Sequence, residues 1–174
     1  MRKLKYHIAS TVDGFIARKD GSFDGFIMEG EHVTDYLAAF KTYDVVLMGR
    51  KTYQVGLDAG VTNPYPMMKQ YVFSQTLEKS PDENVTLVSE NIIDVIKEIK
   101  SESGKDIYLC GGAELATMLF QERLIDEIIL KLNPLLYGEG VPLFSGVIPQ
   151  TALELTSSKI YDNGVVLLHY QVKY

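Results

Sequence analysis

The fold is decided by the stretch Asp106-Ile107-Tyr108-Leu109-Cys110-Gly111-Gly112-Ala113-Glu114-Leu115. A short apolar run ends at two glycines, and an amphipathic helix is predicted directly after them. Because glycine has no Cβ, the Gly111-Gly112 pair permits a sharp turn and the close approach of another molecule. The N-terminus of the following helix carries unpaired N–H groups and a partial positive charge. The stretch therefore predicts either a phosphate-binding turn or a tight strand-to-helix turn that binds nothing.

The same alternation of strand and helix patterns continues through most of the chain. Strands are predicted for Leu4 to Ser10, Asp44 to Met48, Tyr71 to Phe73, Val85 to Val88, Ile107 to Cys110 and Ile125 to Leu132. Helices are predicted after the capping residue Thr34, from Lys51 onward and from Ile92 to Ile99, with a loop from Gly56 to Pro66. The turn Asp162-Asn163-Gly164 predicts a C-terminal hairpin. We therefore predict an α/β fold with a mostly parallel central sheet, an antiparallel C-terminal hairpin and helices on both faces.

Length and composition indicate a single domain over residues 1–174. Of the 174 residues, 46% are hydrophobic and 23% are charged, an ordinary balance for one globular domain. The net charge of -6 argues against non-specific nucleic-acid binding, which needs an excess of Lys and Arg. No apolar run approaches the roughly 18 residues of a membrane span, and we see no signal peptide.

With one cysteine and three histidines, the chain has few residues for disulfide, thiol or metal chemistry. The single cysteine cannot form an internal disulfide, which favours a reducing cytoplasm. The three histidines are scattered, so we predict no metal site. Cys110 ends an apolar strand, where burial is expected to raise its pKa and to make the thiol inert.

A second candidate phosphate site follows the strand that ends at Met48. The segment Gly49-Arg50-Lys51-Thr52 places two cations and a hydroxyl where that strand becomes a helix. Arg50 carries a planar fork that matches phosphate oxygens, and Lys51 carries a mobile point charge. Two cations oppose the dipole at a helix N-terminus, so their presence favours a bound anion over a solvated helix start.

Ser74 and Gln75, which follow another predicted strand, are further candidates for binding the same ligand. Ligands in open α/β sheets bind outside the carboxyl ends of the strands. Because Arg50, Ser74 and Gly111 all follow strands, we expect one extended ligand with more than one phosphate, such as a dinucleotide, to contact all three loops. The Gly-x-Gly-x-x-Gly pattern of the usual dinucleotide-binding fold does not follow the first strand, and the P-loop pattern is absent.

Four blocks of the sequence resemble the dihydrofolate reductase-like superfamily, in the branch of the RibD C-terminal reductase domain. The blocks are Ser10–Ala17, Val46–Tyr53, Leu109–Leu115 and the segment from Leu124 through Pro134 to Phe144. Their order and spacing cover nearly the whole chain. The resemblance implies a three-layer dihydrofolate reductase-like fold and an NADPH-dependent oxidoreductase. Its activity would be similar to that of 5-amino-6-(5-phosphoribosylamino)uracil reductase, in riboflavin biosynthesis, or to that of dihydrofolate reductase.

The resemblance also implies which residues contact the cofactor NADPH. Arg50 is expected at the 2′-phosphate, and Ser74 and Gln75 at the adenosine end. The residues expected at the pyrophosphate come from the two strand-to-helix turns and are Gly49, Lys51, Thr52, Gly111, Gly112, Ala113 and Glu114. Ala9, Ile16 and Ala17 are expected to border the nicotinamide.

Three residues are candidates on the substrate side. In the dihydrofolate reductases an acidic residue on the helix after the first loop binds the pterin, and aligning that helix places Tyr36 there and Asp35 about 100° away. Asp35 is alternatively a first-turn partner of the helix dipole, which we favour. Asp13 matches the Ser-x-x-Asp-Gly start of the RibD branch, or else forms only a turn. The proton donor would be a bound water, Asp13 or Tyr36.

The sequence thus predicts a cytoplasmic, NADPH-dependent reductase of a small nitrogen heterocycle, resembling a ribosylaminopyrimidine or a pterin, that acts by hydride transfer. The alternative is a nucleotide-binding or regulatory protein that retains the NADPH pocket without turnover. The family resemblance and the tyrosine-rich C-terminal strands lead us to expect a homodimer. No nucleic-acid or membrane partner is expected.

Overall fold

An eight-stranded sheet forms the centre of the computed structural model, which describes residues 1–174. Its strands are β1 (Leu4–Thr11), β3 (Tyr43–Gly49), β4 (Lys69–Phe73), β5 (Val85–Val88), β6 (Asp106–Gly111), β7 (Glu127–Asn133), β9 (Ala152–Ile160) and β10 (Val166–Lys173). They lie in the order β5-β4-β3-β6-β1-β7-β10-β9. Neighbours from β5 to β7 are parallel, whereas β10 is antiparallel to both β7 and β9. Two short strands, β2 (Phe15–Ala17) and β8 (Val141–Pro142), form a separate antiparallel pair.

Four α-helices cover the two faces of the sheet. They are α1 (Glu31–Ala39), α2 (Arg50–Asp58), α3 (Ile92–Ser101) and α4 (Ala113–Gln121), and a short 3-10 helix, Phe40–Thr42, follows α1. One core cluster takes its helical residues from α3 and α4, and the other from α1 and α2. None of these helices is long and apolar enough to cross a membrane. The predicted α/β fold, with its parallel sheet, antiparallel C-terminal hairpin and helices on both faces, is confirmed.

The central strands are buried on both faces, which explains their continuous apolar sequences. Side chains alternate between the faces along a strand. Val45 and Leu47 of β3 therefore pack in the cluster with α3 and α4, and Val46 and Met48 pack in the cluster with α1 and α2. All four are at most 1% exposed.

The predicted boundaries of the first two helices are wrong. The first helix begins at Glu31, and Thr34 lies inside it instead of capping it. Gly30 ends the preceding loop with a φ of 118°, a backbone conformation that favours glycine. The apolar pattern that marked the helix starts only at Val33, two residues after the helix begins. The second helix begins at Arg50 and extends to Asp58, past the start of the loop predicted from Gly56.

The segment between β2 and α1 is fixed to the sheet by polar contacts around Ile27. The backbone N–H of Ile27 donates to Oδ1 of the buried Asn133 at 3.1 Å. The carbonyl oxygen of Ile27 accepts a hydrogen bond from Lys131 Nζ and lies 3.0 Å from His32 Nε2. Nearby, the rings of Phe26 and Tyr137 stack with their centroids 5.6 Å apart. This segment is thereby held over one face of β1 and β7, where it helps to enclose a cavity.

Candidate functional site

Three adjacent parallel strands end at the same edge of the sheet. Gly49 on β3 is paired with Phe73 on β4, and Met48 on β3 is paired with Gly111 on β6. The residues that follow these strands, Arg50, Ser74 and Gly112, therefore line up along one edge. This is the arrangement in which a single extended ligand can contact all three loops.

The turns after β3 and β6 approach each other closely, and we call Gly49–Thr52 and Gly111–Glu114 the paired turns. A Cβ built on Gly49 would lie 3.7 Å from the backbone N of Gly112. One built on Gly112 would lie 3.3 Å from Thr52 Oγ1, tighter than most real Cβ contacts. Gly111 also has a φ of 139°, which strongly favours glycine.

Both helices that leave the paired turns begin without a side-chain cap. The residue before α2 is Gly49 and the residue before α4 is Gly112, and neither offers a side-chain hydrogen bond to the first turn. The first N–H groups of both helices are thus left for another acceptor. Two helix N-termini side by side form a surface whose partial charges suit phosphate oxygens.

The two cations of the paired turns differ in their surroundings. Lys51 Nζ donates to Glu114 Oε1 at 2.8 Å, and both side chains are about three-quarters exposed, at 74% and 75%. Arg50 is exposed, and its guanidinium forms no salt bridge or hydrogen bond within the protein. At this edge Arg50 is the cation that remains available to an anion.

Ser74 and Gln75 lie on the far side of Arg50 from Gly111. Ser74 is buried, and its Oγ accepts hydrogen bonds from the N–H groups of Thr76 and Leu77 at 3.2 and 2.9 Å. Its hydroxyl therefore shapes the turn after β4 and still has a proton to donate. Gln75 lines a cavity of about 470 Å³ that also touches Asn91 and Met118; we call it the Gln75 cavity.

A larger cavity of about 680 Å³, the α1 cavity, lies between α1 and the sheet. Of its 23 lining residues, 16 are hydrophobic, so it suits a largely apolar ring. Two residues expected at the nicotinamide, Ala9 and Ile16, line this cavity together with Asp35 and Tyr36. Ala17 does not line it but pairs with Val141 in the small β2–β8 sheet.

The α1 cavity adjoins the paired turns. Cys110 lines the cavity and is directly followed by Gly111. A Cβ on Gly111 would lie 3.5 Å from Cδ1 of Ile8, another lining residue, and 3.6 Å from Thr52 Oγ1. Gly111 thus separates the wall of the cavity from the start of α2. A ligand that runs along the paired turns can therefore reach the cavity.

Aromatic and polar side chains that line the α1 cavity form hydrogen bonds. Tyr36 Oη lies 2.8 Å from Tyr108 Oη, His7 Nδ1 lies 3.3 Å from Tyr43 Oη, and the Cys110 thiol lies 3.1 Å from a tyrosine hydroxyl. Burial raises the pKa of Tyr36 to about 12 and lowers the pKa of His7 to about 3. Burial also raises the pKa of Cys110, in agreement with an inert thiol. All of these groups are neutral near pH 7.

Asp35 does not interact with the dipole of its own helix, so that preferred interpretation is wrong. It is the fifth residue of α1, whereas Glu31 is the acidic residue in the first turn. Its Oδ2 accepts hydrogen bonds from Lys159 Nζ at 2.6 Å and from Tyr161 Oη at 2.8 Å. These contacts, with that from Lys159 the larger, lower the pKa of Asp35. The carboxylate therefore ties α1 to the end of β9, at the edge of the cavity.

Asp13 forms contacts that brace a turn. Its carboxylate accepts from Thr11 Oγ1 at 2.5 Å and from the N–H groups of Gly138 and Tyr137 at 2.7 and 3.2 Å. These hydrogen bonds, first of all that from Thr11, lower its pKa. Asp13 is not among the residues that line the α1 cavity. It joins the β1–β2 turn to the loop after β7 and is ionised near neutral pH.

Several lining residues of the α1 cavity were not singled out from the sequence. They are chiefly Lys5, His7, Lys131 and His169. The alternation of side chains along β1 could have identified two of them, because Lys5 and His7 share a face with Ala9. The contribution of β7 and β10 depends on strand order, which the local pattern does not contain.

Comparisons with known proteins agree with this architecture. The model of the family described as the RibD C-terminal domain matches residues 2–167. The Uncharacterized protein YwjB of Bacillus subtilis is 36% identical over 170 residues, covering 97% of each chain. A solved structure from Shewanella sp. PV-4 superposes with a TM-score of 0.85 at 27% identity, over the whole of both chains.

A second solved structure is more distant. It is the diaminohydroxyphosphoribosylaminopyrimidine deaminase/5-amino-6-(5-phosphoribosylamino)uracil reductase of Thermotoga maritima. The TM-score is 0.72 at 15% identity, over 99% of this chain and 57% of that one. At this identity the likeness supports the shared fold.

The buried His7 gives a prediction for stability against pH. Its pKa is about 3 in the folded protein against 6.5 in the unfolded chain, so between these values only the unfolded chain binds this proton. The contribution of the neutral His7 to the free energy of unfolding is complete above pH 6.5. It is lost as the pH falls, by up to about 1.4 kcal/mol per pH unit. We expect the free energies of unfolding of the wild type and His7→Gln, measured with urea from pH 7 to 4, to converge as the pH falls. Parallel curves would show that His7 is not held neutral by the fold.

Proposed function

The chain belongs to the RibD C-terminal domain family, and on this premise we propose that it is an NADPH-dependent reductase that transfers hydride to a small nitrogen heterocycle. The heterocycle would resemble a ribosylaminopyrimidine, as in the reaction named for the Thermotoga maritima protein, or a pterin. One observation carries the proposal: an apolar cavity adjoins two uncapped helix N-termini that meet beside an unpaired arginine. The lone cysteine is consistent with a reducing compartment, the cytoplasm.

The residues at the strand edge fit a dinucleotide that carries an extra phosphate. Gly49, Gly111 and Gly112 leave room where a Cβ would approach the opposite turn. The N–H groups that begin α2 and α4 would hold the pyrophosphate, and Thr52 Oγ1 is placed to donate to it. Arg50 would hold the 2′-phosphate, because its guanidinium has no other partner. Ser74 and the Gln75 cavity would take the adenosine end.

The α1 cavity would hold the two reacting rings together. When bound, the nicotinamide supplies the hydride, and Ala9 and Ile16 would lie against its ring. The apolar lining excludes water from the reacting rings and fixes their orientation, which is most of what hydride transfer requires of a protein. Tyr36 lines the cavity and keeps its proton near pH 7, so it is the side chain we propose as proton donor among those predicted.

One observation favours the second candidate, a nucleotide-binding or regulatory protein without turnover. Both predicted carboxylates, Asp13 and Asp35, are ionised and occupied by structural hydrogen bonds.

The two functions are distinguished by following NADPH oxidation at 340 nm with a panel of oxidised pterins and pyrimidines. We expect turnover with at least one heterocycle. Tight NADPH binding without turnover on any of them would favour the regulatory function.

Arg50 provides the sharpest test of the cofactor. We expect Arg50→Ala to weaken NADPH binding at least tenfold, since a charge-assisted hydrogen bond is worth roughly 1.5–3 kcal/mol, and to leave NADH binding unchanged. Titrations followed by nicotinamide fluorescence measure both constants. Lys69→Ala is the matched control, because Lys69 is an exposed cation at the opposite end of a neighbouring strand. An equal loss for both nucleotides, or a wild-type preference for NADH, would contradict the assignment.

We also propose a homodimer formed through the outer edge of the sheet. The nine-residue strand β9 is the last strand, and exposed backbone at such an edge favours pairing with another chain. Leu153, Leu155 and Ile160 on this strand are 43%, 52% and 79% exposed. Light scattering should give twice the chain mass of 19.5 kDa, and Leu155→Lys should shift it towards the monomer. A wild-type mass of one chain would exclude the dimer.

A further inference from the structure

The charged side chains around the α1 cavity are unevenly paired. At one end Lys5 Nζ lies 2.9 Å from Asp106 and 3.1 Å from Glu127. At the other end Lys159 Nζ lies 2.8 Å from Glu31 and 2.6 Å from Asp35. Each ammonium group is thus matched by two carboxylates. Glu127 also lies 2.5 Å from Lys3 Nζ, so the charges balance at the first end, whereas the Lys159 end has one more carboxylate than ammonium group.

Lys131 is the exception to this pairing. It is paired in register with Ala9 across the β1–β7 ladder, so both side chains lie on the cavity face, next to the proposed nicotinamide position. Its Nζ donates to the carbonyl of Ile27 and has no carboxylate partner. It is the one lysine or arginine lining the cavity without a salt bridge. Two further donor positions of its ammonium group are left for a ligand.

None of the groups that surround Lys131 carries a negative charge. Ala9 lies beside it on β1, Leu167 is paired with it on β10, and the backbone of Ile27 covers it. His32 on α1 shares the same carbonyl at 3.0 Å through Nε2. With no anion among these neighbours, desolvation lowers the pKa of Lys131. A ligand acceptor would restore part of the hydration that the ammonium group has lost.

Building on the proposed function, we infer that the α1 cavity takes an uncharged, unphosphorylated planar heterocycle, with Lys131 Nζ donating to a carbonyl oxygen of its ring. This selects the pterin-like class over the phosphorylated ribosylaminopyrimidine. The cavity volume of about 680 Å³ accommodates such a ring beside a nicotinamide. Lys131 is then the residue that orients the ring and selects its class.

Charge decides between the two substrate classes. A phosphate is bound in proteins by several cations or N–H donors, and a buried anion without them is strongly disfavoured. Here a phosphate group would meet one unpaired ammonium group, Lys131, a largely apolar lining and the surplus carboxylate at the Lys159 end. A neutral ring avoids this repulsion and gains from the apolar lining. Its carbonyl oxygen accepts one charge-assisted hydrogen bond, which a neutral partner would make more weakly.

A matched pair of fluorescent probes tests this inference. Neopterin and neopterin monophosphate share the pterin ring and the hydroxylated side chain and differ by one phosphate. Binding is followed by quenching of pterin fluorescence in the presence of saturating NADP⁺. We expect neopterin to bind at least tenfold more tightly than its monophosphate. Tighter binding of the monophosphate would overturn the inference.

Variants of Lys131 test the proposed contact. Lys131→Gln should weaken neopterin binding about tenfold or more, and Lys131→Met, which keeps an unbranched stem but has no donor, should do the same. Lys173→Gln is the control, because Lys173 is an exposed lysine on β10 outside the cavity. Unchanged neopterin affinity in both Lys131 variants would overturn the role of Lys131.

Binding of NADP⁺ to each variant separates the two levels of the proposal. Variants that bind NADP⁺ like the wild type are folded, so a loss of neopterin binding then reports on the α1 cavity alone. If the wild type binds NADP⁺ but neither pterin, the substrate class is overturned and the reductase proposal stands. If the wild type binds no NADP⁺, the reductase proposal itself fails.

Discussion

The close approach of Gly49, Gly111 and Gly112 is the constraint on which the rest of the site depends. Two backbone segments, the paired turns, meet there: a Cβ on Gly112 would crowd Thr52 Oγ1, and Gly111 has a φ that favours glycine. The contact sets α2 and α4 side by side at the carboxyl edge of the sheet. It also brings Thr52 to one side of Gly111 and Ile8 to the other. A surface suited to phosphate groups and an apolar cavity suited to rings thereby become neighbours.

The two halves of the site differ in their chemistry. The strand edge presents backbone N–H groups and one unpaired guanidinium, a set that recognises phosphate groups whatever is attached to them. The α1 cavity is apolar, its tyrosines and His7 are neutral, and all but one of its cations are matched by carboxylates. In the proposed reductase, the strand edge would therefore determine the class of cofactor, whereas the α1 cavity would determine what is reduced. Membership of the RibD C-terminal domain family bears on the first half more directly than on the second.

The sequence predicts the parts of the molecule that depend on local rules. Continuous apolar runs identify the parallel strands, and the glycines at the ends of β3 and β6 identify the paired turns. Other features depend on partners distant in the chain. The partners of Asp35, Lys159 and Tyr161, come from the C-terminal hairpin, and the start of α1 is set by a glycine outside the apolar pattern. Lys131 became a candidate only once the strand order placed it beside Ala9 and away from every carboxylate.

The central claim is that one dinucleotide spans the strand edge and delivers its reactive ring to the α1 cavity. A crystal structure of the protein with NADP⁺ tests this most directly. We expect the 2′-phosphate at Arg50, the pyrophosphate at the N-termini of α2 and α4, and the nicotinamide against Ala9 and Ile16 in the α1 cavity. A nucleotide bound away from the paired turns, or one whose nicotinamide lies outside the α1 cavity, would contradict it.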